Sequence, residues 1–68
     1  METVTLYTRT GCGLCDDMKA ELERRGYHVR EVDIARDPEL TRRYGLDIPV
    51  VIRADGTELA RHRLKPAD

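Results

Sequence analysis

The fold is decided in residues 4–15, which read Val4-Thr5-Leu6-Tyr7-Thr8-Arg9-Thr10-Gly11-Cys12-Gly13-Leu14-Cys15. The first five are apolar or β-branched, a composition typical of a strand. The chain contains only these 2 cysteines, and an amphipathic helical pattern begins at the second. At a helix start, unpaired backbone N–H groups and the helix dipole favour a thiolate over a thiol. The spacing also brings the second sulfur within reach of a mixed disulfide formed on the first.

Composition excludes several other kinds of protein. The 68 residues suffice for one domain, 1–68, and their formal net charge is −1. Because acidic and basic residues are balanced, neither nucleic acid nor a membrane is an indicated partner. No secretory signal follows Met1 and no apolar stretch is long enough to span a membrane, so we expect a cytoplasmic protein. In a reducing compartment, a single C-x-x-C is more often redox-active or metal-binding than structural.

Periodicity predicts the first three elements. Residues 3–8 form a strand. A helix over 13–25 follows, with Thr10 as its N-cap, Gly26 as its terminator and Tyr27 in contact with its end. The apolar stripe of this helix is Leu14, Met18 and Leu22. A second strand over 28–34 completes a β-α-β unit whose strands are parallel.

The second half predicts one short helix and a hairpin. Asp37-Pro38 is a strong helix start, and Gly45 ends that helix. The continuous apolar run 50–52 is typical of a buried strand. Asp55-Gly56 joins it to an antiparallel strand at about 57–62. The resulting order is βαβαββ, an α/β fold with a four-stranded mixed sheet and no helical pattern after the last strand.

With these elements placed, the sequence resembles the glutaredoxin-like branch of the thioredoxin superfamily. The resemblance covers essentially the whole chain and rests on matched segments in order: 6–15, Glu31-Val32-Asp33-Ile34, 37–45, Ile48-Pro49-Val50-Val51 and Asp55-Gly56. It implies a thioredoxin-like fold, from which this sequence departs because it shows no pattern for the usual C-terminal helix. It also implies that Pro49 is a cis-proline packed against the cysteines, with Ile48 offering its backbone N–H and C=O to an extended substrate.

Two departures from the family pattern matter. The residues between the cysteines, Gly13-Leu14, are neither the Pro-Tyr of typical glutaredoxins nor the Gly-Pro of thioredoxins. The Gly-Gly turn of glutathione-using members is also absent, since the last strand runs into 60–64 (Ala-Arg-His-Arg-Leu). The reduction potential and glutathione binding therefore do not carry over. A missing last helix would leave part of one sheet face uncovered, which suggests a weak dimer or docking on a partner.

The candidate site residues divide into two reacting thiols and their neighbours. Cys12 is the predicted nucleophile, and Cys15, inside the first helical turn, is the resolving thiol. Arg9 either adds positive charge near the thiolate or is a solvated loop residue. Tyr7 either packs beside the active-site loop or is a half-buried strand residue. With Ile48 and Pro49, these two form the predicted substrate-binding set.

The sequence gives weaker evidence for a functional role of the other charged residues and of the two histidines. Asp16 and Asp17 suit a helix N-terminus but oppose a second negative charge nearby. Arg42 and Arg43 lie where related proteins hold the carboxylate of glutathione, although a solvated helix face is the simpler reading. His28 and His62 invite a zinc reading with the cysteines. The fourth ligand spacing is wrong and His28 is expected at the far end of the helix, so we expect no metal site.

The sequence thus predicts a small thiol–disulfide oxidoreductase that attacks a substrate disulfide beside Pro49. Its partners would be glutathione or a disulfide-containing protein, and a reductase. We expect no tightly bound cofactor, so an external reductant, glutathione or thioredoxin reductase with NADPH, must restore the dithiol. Two alternatives stay open: a redox-inactive docking module, and a metal or iron–sulfur site bridged across a dimer by the two cysteines.

Overall fold

A computed structural model describes residues 2–62. It contains β1 (Thr3–Thr8), α1 (Gly13–Arg24), β2 (His28–Asp33), α2 (Pro38–Tyr44), β3 (Val50–Arg53) and β4 (Glu58–Arg61), with a 3-10 turn over Ile34–Arg36 between β2 and α2. The predicted βαβαββ order is confirmed. The prediction about a C-terminal helix concerns residues outside the described part of the chain.

The four strands form one mixed sheet in the order β2-β1-β3-β4. β1 runs parallel to β2, with Thr3 opposite His28, and antiparallel to β3, with Tyr7 opposite Val50. β3 and β4 are antiparallel. As a result, β1 ends, β3 begins and β4 ends at one edge of the sheet. This edge carries the candidate site.

The two faces of the sheet are covered by different helices. On one face, α1 packs Met18 and Leu22 against the strands, in a buried cluster with Val4, Leu6, Val51 and Ala60. Neighbouring strand residues point to opposite faces, so Tyr7 projects to the other side. There its ring stacks on Tyr44 of α2, with 4.7 Å between the ring centres. Burial of each large apolar side chain contributes about 1.5–3 kcal/mol, and most of them lie on the α1 face.

The end of α1 follows the sequence prediction closely. Gly26 has φ +94°, and its N–H donates to the carbonyl of Glu23 at 3.0 Å. The Tyr27 N–H donates to the carbonyl of Leu22, also at 3.0 Å, which completes a Schellman motif. Tyr27 packs against the cluster that contains Leu22. The predicted terminator and its apolar contact are therefore confirmed, with the last helical residue at Arg24 rather than 25.

The hairpin also follows the prediction. The Gly56 N–H donates to the carbonyl of Arg53 at 2.9 Å, and Gly56 has φ +91°, a conformation that glycine adopts at no steric cost. The side chain of Asp55 accepts from the backbone N–H and the hydroxyl of Thr57, at 2.9 and 2.6 Å.

Within residues 2–62, no helix combines the length and the apolar character that crossing a membrane requires.

Candidate active site

A tight turn brings the chain from β1 into α1. The Cys12 N–H donates to the carbonyl of Arg9 at 3.2 Å, and Gly11, the third residue of this turn, has φ +85°, as a type II turn requires. The helix then begins at Gly13 with Cys12 as its N-cap. The predicted helix start at residue 13 is confirmed, but the prediction of Thr10 as N-cap is wrong, because Thr10 lies within the turn and Cys12 is the residue directly before the helix. The Thr10 hydroxyl instead donates to Asp33 at 3.4 Å.

The two sulfur atoms have different surroundings. The Cys15 N–H donates to the sulfur of Cys12 at 3.2 Å, so the Cys12 sulfur caps the helix. Cys12 is half-buried, whereas Cys15 is 1% exposed. The structure joins them in a disulfide with a Cα–Cα separation of 5.3 Å. Of the two sulfurs, only that of Cys12 is therefore accessible to a second molecule.

The proline loop reaches the same edge of the sheet. The Ile48-Pro49 peptide bond is cis, as expected from the family resemblance, and Pro49 is fully buried. Since Tyr7 lies opposite Val50, the residues just before β3 lie beside the end of β1. That end leads directly into the turn that carries Cys12. Two segments far apart in sequence thus frame one site.

The backbone of Ile48 differs from the expectation. Its N–H donates to the carbonyl of Tyr44, at the end of α2, at 3.1 Å. The Asp47 N–H donates to the same carbonyl at 2.8 Å. The expectation that the N–H of Ile48 is offered to a substrate is therefore corrected, because this group is already engaged within the chain. The cause is the short connection from α2, whose last carbonyls need donors. The expected contact between the Ile48 carbonyl and a substrate stays a prediction.

Arg9 lies on the rim of a cleft beside the turn. The cleft has a volume of about 430 Å³ and is lined by Thr8, Arg9, Thr10, Gly11, Asp16, Glu31 and Asp33. Arg9 is exposed and forms no ion pair with any residue from 2 to 62. Asp16 and Asp17 are exposed at the helix start. A contact between Arg9 and a substrate stays a prediction.

Tyr7 and the two arginines of α2 have packing or surface contacts. Tyr7 is half-buried in its stack with Tyr44. The guanidinium of Arg43 lies over the other aromatic ring of that stack, 5.4 Å from the centre of Tyr44. Arg42 pairs with Glu39 at 2.7 Å. The half-buried strand reading of Tyr7 is thus confirmed, and its contact with a substrate stays a prediction.

The two histidines lie at opposite ends of the sheet. His28 begins β2 opposite Thr3, at the edge away from the cysteines. His62 follows β4, and its N–H donates to the carbonyl of Pro49 at 2.8 Å. Within residues 2–62, no group of three or more His, Cys, Asp or Glu side chains is placed to hold a metal ion. The expected separation of His28 from the cysteines is confirmed.

Three further residues lie at the edge of the sheet that carries the candidate site and were not predicted there: Asp47, Arg61 and His62. The signal was available, because an antiparallel β4 that follows β3 must end where β3 begins. Arg61 pairs with Asp47 and with Glu58, and His62 lies 3.5 Å from Asp47. A hydrogen bond from Arg61 lowers the pKa of Glu58, and the same contact raises the pKa of Arg61. At this edge of the sheet, the positive charge of Arg61 is therefore held between the negative charges of Asp47 and Glu58.

Comparison with known proteins places these features in a family. The family model of the glutaredoxin-like domain (DUF836) matches residues 3–68. The chain belongs to this family. No match to a curated protein was found. The family and the Cys12–Cys15 pair together indicate a redox-type thiol function.

Three solved structures are similar to this glutaredoxin-like domain. The solution NMR structure of protein Ne2328 from Nitrosomonas europaea has 28% identity and a TM-score of 0.85, over 94% of this chain and 81% of that one. The X-ray structure of target protein XcR50 from X. campestris has 35% identity and a TM-score of 0.78, over 96% and 83%. A malarial protein, at 20% identity and a TM-score of 0.58 over 90% and 78%, shares the fold alone. The thioredoxin-like α/β fold is thereby established.

Proposed function

We propose that this glutaredoxin-like domain is a dithiol thiol–disulfide oxidoreductase. The observation that carries the proposal is the unequal placement of the two sulfurs. Cys12 caps α1 and accepts a hydrogen bond from the Cys15 N–H, while Cys15 is buried one turn inside. A donor that points at sulfur favours the thiolate. A partly exposed thiolate with a buried second thiol next to it is the arrangement that stepwise disulfide exchange needs.

The reaction proceeds in two exchanges. The Cys12 thiolate attacks one sulfur of the substrate disulfide, a Cys12–substrate bond forms, and the other substrate sulfur leaves as a thiolate that takes a proton from water. Cys15 then gives its proton to water and attacks the Cys12 sulfur; the bond between Cys12 and the substrate breaks, and the second substrate sulfur leaves as a thiolate that takes up a proton from water. Two electrons have passed to the substrate, and Cys12 and Cys15 are joined as a disulfide. The 5.3 Å separation of their Cα atoms fits that product.

The cis-proline loop supports the first exchange by docking the substrate. Pro49 and the carbonyl of Ile48 lie at the edge of the sheet that leads to Cys12. A substrate backbone N–H that donates to this carbonyl would hold an extended segment beside the reactive sulfur. Docking of this kind converts a bimolecular attack into one with aligned reactants. Arg9 and the edge of Tyr7 are the further proposed contacts.

Return to the dithiol requires two electrons from outside the chain. We propose glutathione or a thioredoxin reductase with NADPH as reductant, with no tightly bound cofactor, in a cytoplasmic protein that acts as a monomer or weak dimer. The sequence has no Gly-rich turn of the dinucleotide-binding type. Because the Gly-Gly turn of glutathione-using members is missing, we expect reduction through the reductase to be at least competitive with reduction by glutathione. The partners are disulfide-containing proteins or glutathione.

Turnover of a disulfide substrate tests the proposal. The wild-type protein should reduce insulin disulfides with one of the two reductants, and the Cys12→Ser variant should have no activity above background. Glu23→Gln, which changes an exposed residue of α1 away from the cysteines and leaves both sulfurs and the residues between them in place, is the control and should keep turnover. Full activity in Cys12→Ser would contradict the assignment of the nucleophile.

A further inference from the structure

The loop that precedes β3 is fastened from two sides. From α2, the carbonyl of Tyr44 accepts hydrogen bonds from the N–H groups of Asp47 and Ile48, at 2.8 and 3.1 Å. From the end of β4, the His62 N–H donates to the carbonyl of Pro49 at 2.8 Å. These bonds involve backbone atoms alone. They hold the two ends of the loop whatever its side chains are.

One side-chain contact adds to this frame, the ion pair between Asp47 and Arg61. Nη1 of Arg61 donates to Oδ2 of Asp47, and the other carboxylate oxygen lies 3.5 Å from Nε2 of His62. The two paired side chains are 35% and 36% exposed. Their contact spans 14 positions in sequence, and it ties the residue directly before Ile48 to the neighbouring strand.

Arg61 is itself held in place by a second carboxylate. Its Nε and Nη2 atoms donate to Oε1 of Glu58, at 3.1 and 2.6 Å. A guanidinium is planar, so a partner on one side fixes the direction of the donors on the other. Nη1 is thereby aimed at the loop. Backbone hydrogen bonds and the buried Pro49 hold other parts of the loop, whereas Leu46, the residue before Asp47, is 94% exposed and adds little packing.

We propose that the Asp47–Arg61 ion pair is a positioning device that sets the Ile48 carbonyl and Pro49 for a polypeptide substrate. The inference rests on the proposed function and concerns docking rather than the sulfur chemistry. Asp47 and Arg61 are positioning residues, because they act through the loop backbone and not on the reacting atoms. A substrate that docks through its backbone depends on this geometry, whereas a small disulfide that reaches Cys12 without docking depends on it much less.

The test compares two disulfides across a set of variants, with dithiothreitol as reductant. The polypeptide probe is insulin, and the small probe is 2-hydroxyethyl disulfide. We expect Asp47→Ala to lower kcat/KM for insulin on the order of 10-fold, mainly through KM, and to change the small probe by less than about 3-fold, because misplaced docking groups slow only docked reactions. Arg61→Ala should lower kcat/KM for insulin and spare the small probe to the same extent as Asp47→Ala. The double variant should be no worse than either single one, since both remove the same contact.

Glu58→Gln is the matched control. It removes the negative charge of Glu58 but keeps a side-chain oxygen that can accept from Nε and Nη2 of Arg61, so Nη1 stays aimed at the loop and insulin turnover should stay within about 2-fold of wild type. An Asp47→Ala variant with unchanged insulin kinetics, or with equal losses on both probes, would overturn the positioning role. A wild-type protein inactive on both probes would instead contradict the proposed function itself.

Discussion

Cys12 has a structural role besides its proposed chemical one. Its backbone N–H closes the turn that Gly11 makes possible, and its sulfur accepts the hydrogen bond that a Ser, Thr or Asp normally accepts at a helix start. The sulfur of the proposed nucleophile is thus part of the helix cap. The unlike exposure of the two cysteines could be predicted from their spacing alone, because one lies at the helix start and the other one turn inside. The capping residue could not be, since Thr10 is chemically a better cap and only the backbone turn displaces it.

Gly45 is a second residue whose identity the backbone requires, and it gives a prediction. A Cβ at this position would lie 2.5 Å from the carbonyl oxygen of Thr41, which also accepts the Gly45 N–H at 2.8 Å. Gly45→Ala should therefore lower the free energy of unfolding by about 1–3 kcal/mol, as overpacked sites do. Urea denaturation followed by circular dichroism measures it.

Gly13→Ala is the control for this substitution. A Cβ at Gly13 meets no atom within 4 Å, and the residue begins α1. This change should leave stability equal or raise it by about 0.5 kcal/mol, because alanine restricts the unfolded chain. Equal stability of the Gly45→Ala variant and wild type would show that the end of α2 relaxes freely.

At the scale of elements, capping and periodicity predicted most of the boundaries. The clearest case is α2: the Asp37 carboxylate accepts from the N–H groups of Glu39 and Leu40, at 2.9 and 3.3 Å, with Pro38 at the first helical position. The 3-10 turn was not predicted. Ile34 continues the apolar pattern of β2, but the Asp33 side chain accepts from the Ala35 N–H at 2.9 Å and ends the strand there. Such a local side-chain bond competes with the sheet, and periodicity does not reveal it.

At the scale of the whole molecule, ion pairs join residues that are far apart in sequence, and local sequence patterns cannot predict them. Glu2 and Arg53 form a two-pronged ion pair at 2.8 and 2.9 Å, although 51 positions separate them. The pair fastens the start of β1 to the end of β3, at the edge of the sheet away from the cysteines. The sequence predicts β1 and β3, but it does not predict which residue of β1 lies opposite which residue of β3, and the Glu2–Arg53 contact depends on that register. The Asp47–Arg61 contact at the opposite edge could not be predicted for the same reason, because it depends on the register of β3 and β4.

The Glu2–Arg53 pair gives a prediction about acid stability. The hydrogen bond from Arg53 lowers the pKa of Glu2 below its ordinary value of 4.5. A carboxyl group with a lowered pKa in the folded state stabilises the fold above the unfolded pKa, and that contribution is lost as the pH falls through the folded pKa. The urea midpoint of wild type should therefore fall more steeply than that of Glu2→Gln between about pH 5 and pH 3.

Glu23→Gln is the control for the acid series. Glu23 is an exposed residue of α1 that forms no ion pair within residues 2–62, so its substitution removes the same charge without removing an arginine contact. Its pH series should run parallel to that of wild type. Parallel curves for Glu2→Gln and wild type would mean that the ion pair contributes nothing to acid stability.

The central claim is that the two sulfurs have different roles in one exchange reaction, and trapping of the first intermediate tests it most directly. The Cys15→Ser variant, incubated with a disulfide-bonded peptide and analysed by non-reducing mass spectrometry, should accumulate a one-to-one mixed disulfide at Cys12. The Cys12→Ser variant should accumulate none, because its remaining thiol is buried. A mixed disulfide that forms equally well on Cys15 in the Cys12→Ser protein, or on neither cysteine, would contradict the account.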